Sequence, residues 1–200
     1  MRKSSIKRST TETKIELELN LDGVGQYEIN TDCGFFKHMM ELFTRHARID
    51  LKLTCVGDSD VDFHHTVEDI GIVLGQAVSQ ALGDKRGIKR YGQWLLPMDE
   101  ALVMVALDIS GRGLLGYNVQ LQTATVGNFD TELVKEFLIA FSRNAGITLH
   151  VHQMAGENTH HIIEAIFKGM ARALAQAIEI DARFSNEIPS TKGMLDGGVK

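Results

Sequence analysis

From Lys14 to Leu21 the chain alternates polar and apolar residues (KIELELNL), the period of a strand with one face buried. Asp22 and Gly23 follow as a turn signal, so a hairpin is expected there. The start, MRKSSIKRSTTETK, is basic and rich in Ser and Thr, but it lacks a secretory apolar core and runs straight into the alternating pattern. It reads as the first strand. Gly34 to Ala47 has helical apolar spacing at Phe35, Phe36, Met39, Met40 and Phe43, and RIDLKLTCVGD reads as a strand. His64 to Leu82 is a long amphipathic helix closed by Gly83. Strands are expected over Arg90 to Leu95, Ala101 to Ile109 and near Leu114 to Val119.

The order then recurs. A helix is expected over Thr131 to Ala145, a strand in GITLHVHQM, and a second long helix over Thr159 to Ile180. FFKHMMELFTRHARIDLKL lies over LVKEFLIAFSRNAGITLHV, pairing Lys37 with Lys135 and Phe43 with Phe141; after a short deletion His64 falls on His160. Two copies of so long a unit are no solenoid. The simplest reading is an α/β fold of the α+β kind, internally duplicated, with the helices of each half on one face of a mostly antiparallel sheet. The repeats are placed at residues 8–95 and 96–193 of a single domain spanning 1–200.

Composition narrows the function. The chain has 200 residues and a net charge of −5, so overall charge gives no footprint for nucleic acid. No apolar run is long enough for a bilayer. Cys33 and Cys55 lack metal-finger spacing and read as reduced core residues of a cytoplasmic protein.

The duplicated motif carries the chemistry. DFHHTVEDIG and NTHHIIEAIF both write His-His-x-x-Glu at a helix start. Successive helical residues point about 100° apart. His64 and His65 therefore diverge, with Glu68 between them and able to join either; His160, His161 and Glu164 repeat the arrangement. Two diverging imidazoles do not converge on one ion. A full metal shell must be completed by another helix, the other half, or another subunit. Nitrogen plus carboxylate donors suit Mn, Fe, Co or Zn. One such motif is commonly capping charge with exposed imidazole, since acids are favoured at helix N-termini anyway; two at equivalent positions argue for a metal. His38 and His46 lie on the preceding helix, and Glu136 holds the place of His38 in the second half. Arg90, Arg112 in DISGRG, Lys168, and Lys192 in PSTKG are candidate anion contacts. PSTKG lacks the upstream glycine of a Walker motif.

Together TET, GFFKHM, DFHHTVEDIGIVLGQA, PMDEAL, DISGRG, FDTELVKEFLIAF, GITLHVHQMAGENTHHIIEAIFKGMARAL and PSTKG resemble the imidazoleglycerol-phosphate dehydratases over about Arg8 to Gly193. The resemblance implies four-stranded sheets in a duplicated unit (the second-domain fold of ribosomal protein S5), manganese, taken as two ions per subunit, and a 24-subunit homo-oligomer acting in histidine biosynthesis. It implies metal sites shared between subunits, a small phosphorylated substrate, and neither nucleic acid nor membrane as partner. By the same carry-over His38, His64, His65, Glu68, Glu136, His160, His161 and Glu164 fall on metal-ligand positions. At the Glu136 position many relatives carry His. Glu12 is an acid/base candidate, and His46 matches a substrate-site histidine. Glu68 and Glu164 count with them as catalytic candidates. Arg90, Arg112, Lys168, Ser190 and Lys192 fall on phosphate contacts, and Leu42 replaces a polar phosphate contact of some relatives.

The chemistry so implied has a physical logic. The hydrogen to be lost is not acidic, because no carbonyl adjoins it. If the imidazole first loses its N–H, the imidazolate expels the hydroxyl and leaves a diazafulvene, through which the next C–H is activated. Metals at the ring nitrogens would make imidazolate accessible near neutral pH. Two readings compete: another metal-dependent enzyme on the same scaffold, and a non-enzymatic metal-binding oligomer. HHxxE is not the HExxH of zinc proteases, and the intervening strands argue against a ferritin-like bundle.

Overall fold

The structure, a computed structural model, describes residues 1–195. The first half comprises β1 (Lys3–Ser9), β2 (Thr13–Asn20), β3 (Tyr27–Asn30), α1 (Gly34–Ala47), β4 (Asp50–Gly57) and α2 (His64–Leu82). The second comprises β5 (Tyr91–Met98), β6 (Ala101–Asp108), β7 (Leu114–Asn118), the two-residue strands β8 (Thr125–Val126) and β9 (Phe129–Asp130), α3 (Leu133–Ala145), β10 (Thr148–Ala155) and α4 (Thr159–Ile178). Two four-stranded sheets result, ordered β1-β2-β4-β3 and β5-β6-β10-β7. In each, one edge strand runs parallel to its neighbour, β3 to β4 and β7 to β10, and the remaining pairs are antiparallel.

The hairpin expected at Asp22 and Gly23 does not form there. The first hairpin joins β1 to β2 through Thr10–Glu12, which puts Glu12 in its turn. After β2 the chain crosses to the far edge of the sheet and pairs in parallel with β4. The Asp50 carboxylate directs this crossing by accepting the N–H groups of Val24 and Gln26 at 2.9 and 3.0 Å. Gly23 serves close approach, since a Cβ there would lie 2.3 Å from the Asp50 nitrogen. The β8–β9 hairpin had no forecast, because two-residue strands carry no periodicity.

Each sheet is covered on one face by its own helices, and the helices of the two halves pack on each other, α1 on α4 and α2 on α3. The shared core is aromatic. Phe36 meets Phe137 and Phe167 edge-on, and Phe43 meets Phe141 edge-on at 6.4 Å, so residues aligned between the repeats touch across the interface. Close backbone approach fixes the helix pairs: a Cβ at Gly71 or Gly75 of α2 would fall within 3 Å of α3 backbone.

The paired helices run in the same direction. Early residues meet early ones and late meet late: His38 lies near Glu164 and His46 near Arg172, while Gly71 lies near Phe137 and Gln76 bonds Asn144. The C-terminal ends of α2 and α4 also come together, through a bridge between Ile88 and Ile180. The helix starts therefore gather at one end of the molecule and the helix ends at the other.

At Gly92 of β5 an added Cβ would stand 1.8 Å from the carbonyl oxygen of Ala173 in α4. Gly92→Ala is therefore expected to push strand from helix and destabilise the protein by about 1–3 kcal/mol, the usual range for overpacking. Thermal melts followed by circular dichroism test this, and an unchanged midpoint would contradict it.

Candidate metal and anion sites

The start of α4 is held by four hydrogen bonds. The Asn158 side chain accepts the N–H groups of His160 and His161 at 3.0 and 3.3 Å. One oxygen of Glu100, from the β5–β6 turn, accepts the N–H groups of Glu157 and Asn158. At α2, Asp62 accepts the N–H of His64 at 2.7 Å. Both histidine pairs thus sit on fixed backbone. Their rings stand nearly perpendicular, with centroids 6.1 Å apart in α2 and 6.2 Å in α4.

The first histidine of each motif turns to its own glutamate. His160 Nε2 lies 3.3 Å from Glu164 Oε2, and His38 Nε2 of α1 lies 3.9 Å from the same oxygen. Donors bound to one ion at about 2.1 Å in adjacent positions stand about 3 Å apart, so Glu164 lies near that distance from His160 and His38 would have to close on it. His64 Nε2 lies 3.8 Å from Glu68 Oε2 in α2. The register set by the Gln76–Asn144 bond places Glu136 of α3 level with Glu68, as His38 is level with Glu164. Among the described residues no group of three or more His, Cys, Asp or Glu side chains forms a ready metal cage.

Burial raises the Glu164 carboxyl, but the Lys168 hydrogen bond and charge and the His160 contact outweigh it and hold the group below its ordinary value. Phe35 braces the His160 ring edge-on at 5.2 Å.

The second histidine of each motif turns to another side, towards acids from loops. His65 Nδ1 lies 2.9 Å from Asp58 Oδ2, and its Nε2 lies 3.7 Å from Glu12 Oε1. His161 Nδ1 lies 2.7 Å from Glu100 Oε2, and its Nε2 lies 3.6 Å from Asp99 Oδ2. The hydrogen bond from His161, followed by that from the Asn158 N–H, pulls the Glu100 carboxyl down to about 2. Glu12 is anchored indirectly. Thr10 Oγ1 accepts the N–H groups of Glu12 and Thr13, and buried Asp69 holds both Thr13 and Arg8.

The anion candidates divide into two places. Arg90, Arg112, Ser190 and Lys192 line one cavity of about 270 Å³, together with Ser110 and Thr191. Asp108 clamps the Arg90 guanidinium through two bonds of 2.7 and 3.1 Å, and Pro189 O accepts a third. Lys168 is not part of this cavity; it pairs with Glu164 beside the α4 histidines. His46 lies in a separate basic hollow, where its Nδ1 is 3.4 Å from Arg172, itself 5.8 Å from the centre of the Trp94 ring. The Arg90 cavity adjoins the end of α4, because the Arg90 N–H bonds to Ala177 O. Most of the 20-residue helix separates it from His160 and His161, roughly 25 Å at about 1.5 Å per residue.

Sequence reasoning missed Asp58, Glu100, Asp99, Asp69 and Arg8. Acids in turns carry no periodicity. The one available hint was PMDE, a pair of acids in the second-half turn that matches the turn holding Glu12.

The family model described as imidazoleglycerol-phosphate dehydratase matches residues 31–174. Among curated relatives, the imidazoleglycerol-phosphate dehydratase of Ruegeria pomeroyi is 58% identical over 195 residues, covering 98% of this chain and all of the relative. That of Azorhizobium caulinodans is 57% identical over 197 residues, with the same coverage. Among solved structures, the Staphylococcus aureus imidazoleglycerol-phosphate dehydratase superposes with a TM-score of 0.82 at 42% identity, covering 90% of this chain and 99% of that one. The Pyrococcus furiosus enzyme, in complex with (S)-C348, gives 0.82 at 35% identity, covering 95% and 100%.

Burial first, then the charges of Arg172 and Lys168, holds the His46 imidazole below its ordinary value. The unfolded chain therefore takes up this proton more readily, and stability falls as pH drops through about 6.5 towards the lower folded value. In His46→Gln that loss is absent. The melting temperature of the variant relative to wild type is expected to rise between pH 7 and pH 5; a difference independent of pH would contradict this.

Proposed function

The chain belongs to the imidazoleglycerol-phosphate dehydratase family, and we propose that it works through active sites assembled between copies of itself. The reaction is the dehydration of D-erythro-imidazoleglycerol phosphate to imidazoleacetol phosphate, a lyase step of histidine biosynthesis. One observation carries the shared site: the Arg90 cavity and the α4 histidines lie at opposite ends of one helix. A molecule of one ring, a three-carbon chain and a phosphate spans only about 9 Å at ordinary bond lengths. It cannot bridge roughly 25 Å of helix. The phosphate cavity of one copy must therefore serve the histidines of another.

In this reading His38, His160 and Glu164 hold one ion, and His64, Glu68 and Glu136 hold a second. Each trio is completed by an outward histidine, His65 or His161, from a neighbouring copy. Nitrogen and carboxylate donors suit a divalent ion such as Mn2+, and two trios would hold two ions per chain. When bound, such ions supply Lewis-acid lowering of the pKa of a ring N–H. The chain does the rest. Arg90, held rigid by Asp108, joins Arg112, Ser190 and Lys192 in gripping the phosphate and fixing the reacting end. Lys168, beside Glu164, belongs to the histidine side of the joint site and would meet the same phosphate from there. Glu12, within 4 Å of His65 Nε2, is placed to move a proton at the reacting carbons. His46 stays neutral and available as a hydrogen-bonding group. A closed 24-subunit particle supplies the neighbouring copies. The two buried free cysteines suit the reducing cytoplasm.

Protein reconstituted with manganese is expected to convert imidazoleglycerol phosphate to imidazoleacetol phosphate; metal-loaded protein that forms no product would refute the reading. Sharing has its own test. Arg112→Ala and Glu164→Gln are each expected to be nearly inactive alone, and co-assembled particles of the two should recover activity by joining intact parts. Absence of recovery in verified mixed particles would show that each chain works alone. Removal of metal by chelation should shift sedimentation towards smaller assemblies, and an unchanged profile would count against bridging ions.

A further inference from the structure

We infer that Asp58 and Glu100 are positioning residues that fix His65 and His161 as Nδ1–H tautomers and leave their Nε2 lone pairs free for a ligand. The inference rests on the proposed reading of those histidines as ligands for a neighbouring copy. An ionised carboxylate only accepts hydrogen bonds. At 2.9 and 2.7 Å from Asp58 and Glu100, the Nδ1 atoms of His65 and His161 must be the donors. A neutral imidazole carries one N–H, so Nε2 is left with the lone pair a metal requires. His64 and His160 are arranged differently: their Nε2 atoms face the glutamates of their own helix. The Nε2 atoms of His65 and His161 stand 3.7 and 3.6 Å from Glu12 and Asp99, beyond hydrogen-bond distance, so only the Nδ1 partner fixes the tautomer.

Two further features set these acids apart from chance ion pairs. They reach equivalent histidines from unrelated places, Asp58 from the loop after β4 and Glu100 from the β5–β6 turn. Each also divides its two oxygens. Glu100 Oε1 is anchored by two backbone N–H groups while Oε2 holds His161. Asp58 Oδ2 holds His65, whereas its Oδ1 is buried with no hydrogen-bond partner among the described residues. Leaving an oxygen so placed costs stability, so packing alone does not account for Asp58.

Glu100→Gln and Asp58→Leu test the inference because they remove the acceptor at Nδ1 and roughly keep side-chain size. In Glu100→Gln the amide oxygen still accepts both backbone N–H groups, while the NH2 faces Nδ1. That nitrogen must then accept, its proton moves to Nε2, and the Nε2 lone pair is lost. Asp58 has no such anchor on its second oxygen among the described residues, so there the acceptor is removed outright: in Asp58→Leu nothing holds the His65 proton on Nδ1. The readout is manganese binding by the whole assembled protein in equilibrium dialysis, with metal per chain from elemental analysis. Each variant is expected to weaken manganese 10–100-fold at half of the sites, leaving a tight and a weak class; the double variant should weaken all of them. Wild-type affinity in both single variants would overturn the inference. The two acids sit on different elements, so if one variant fails to fold the other decides. A wild-type protein that binds no manganese would instead remove the metal reading beneath it.

Discussion

Neighbouring residues on an α-helix point about 100° apart, and the rest of the site follows from that angle. His-His at a helix start cannot close on one ion. One imidazole turns along its own helix to the glutamate four residues on, and the other turns to acids in the loops. Because the paired helices run in the same direction, both motifs emerge at one end of the molecule, while the Arg90 cavity sits where the helices finish. A single chain therefore separates the two halves of the proposed chemistry by the length of a helix. Assembly becomes a requirement of catalysis in this reading, not an accessory to it.

Such a division works only if the helix starts do not move. The packing secures them. Glycines at 71, 75 and 92 let backbones approach to distances that a methyl group would forbid. Phe36, Phe137 and Phe167 tie three helices into one aromatic knot. At the ends, Asp62, Asn158 and Glu100 satisfy N–H groups that a helix leaves open. Glu100 both caps the approach to α4 and holds His161, so local folding and ring orientation are settled by one carboxylate. Asp69, one residue past the Glu of its motif, does comparable duty for the Glu12 turn.

Much of this was legible in the sequence, for identifiable reasons. Helices α1 and α2 were readable to the residue because their apolar spacing is regular and Gly83 marks an end. The pairing of Phe43 with Phe141 between repeats anticipated a real contact. The divergence of His64 and His65 followed from helix geometry alone, although the sequence left Glu68 free to join either ring. Long-range decisions were not legible. Nothing in Asp22 and Gly23 says that β3 crosses to the far edge, because the Asp50 carboxylate that directs it lies 26 residues beyond Val24. Arg90, Arg112, Ser190 and Lys192 could be nominated singly, but their meeting in one cavity, and its distance from the histidines, needed the fold. Turn acids such as Asp58 and Glu100 act through partners that no periodicity marks.

The two halves share a topology but not a donor set. Where α1 presents His38 beside Glu164, the register of α3 against α2 puts Glu136 level with Glu68. On the proposed reading one trio has two imidazoles and a carboxylate, and the other has one imidazole and two carboxylates. The second carries one more negative charge. Hard oxygen donors favour Mn2+ and Mg2+, whereas imidazole suits Zn2+ and its neighbours. The carboxylate-rich trio should thus hold manganese against softer competitors better than its partner. If ions held by the two trios faced opposite sides of the substrate ring, the His38 trio would be the more positive side and would favour loss of the N–H nearer to it, a direction that duplication alone would not supply.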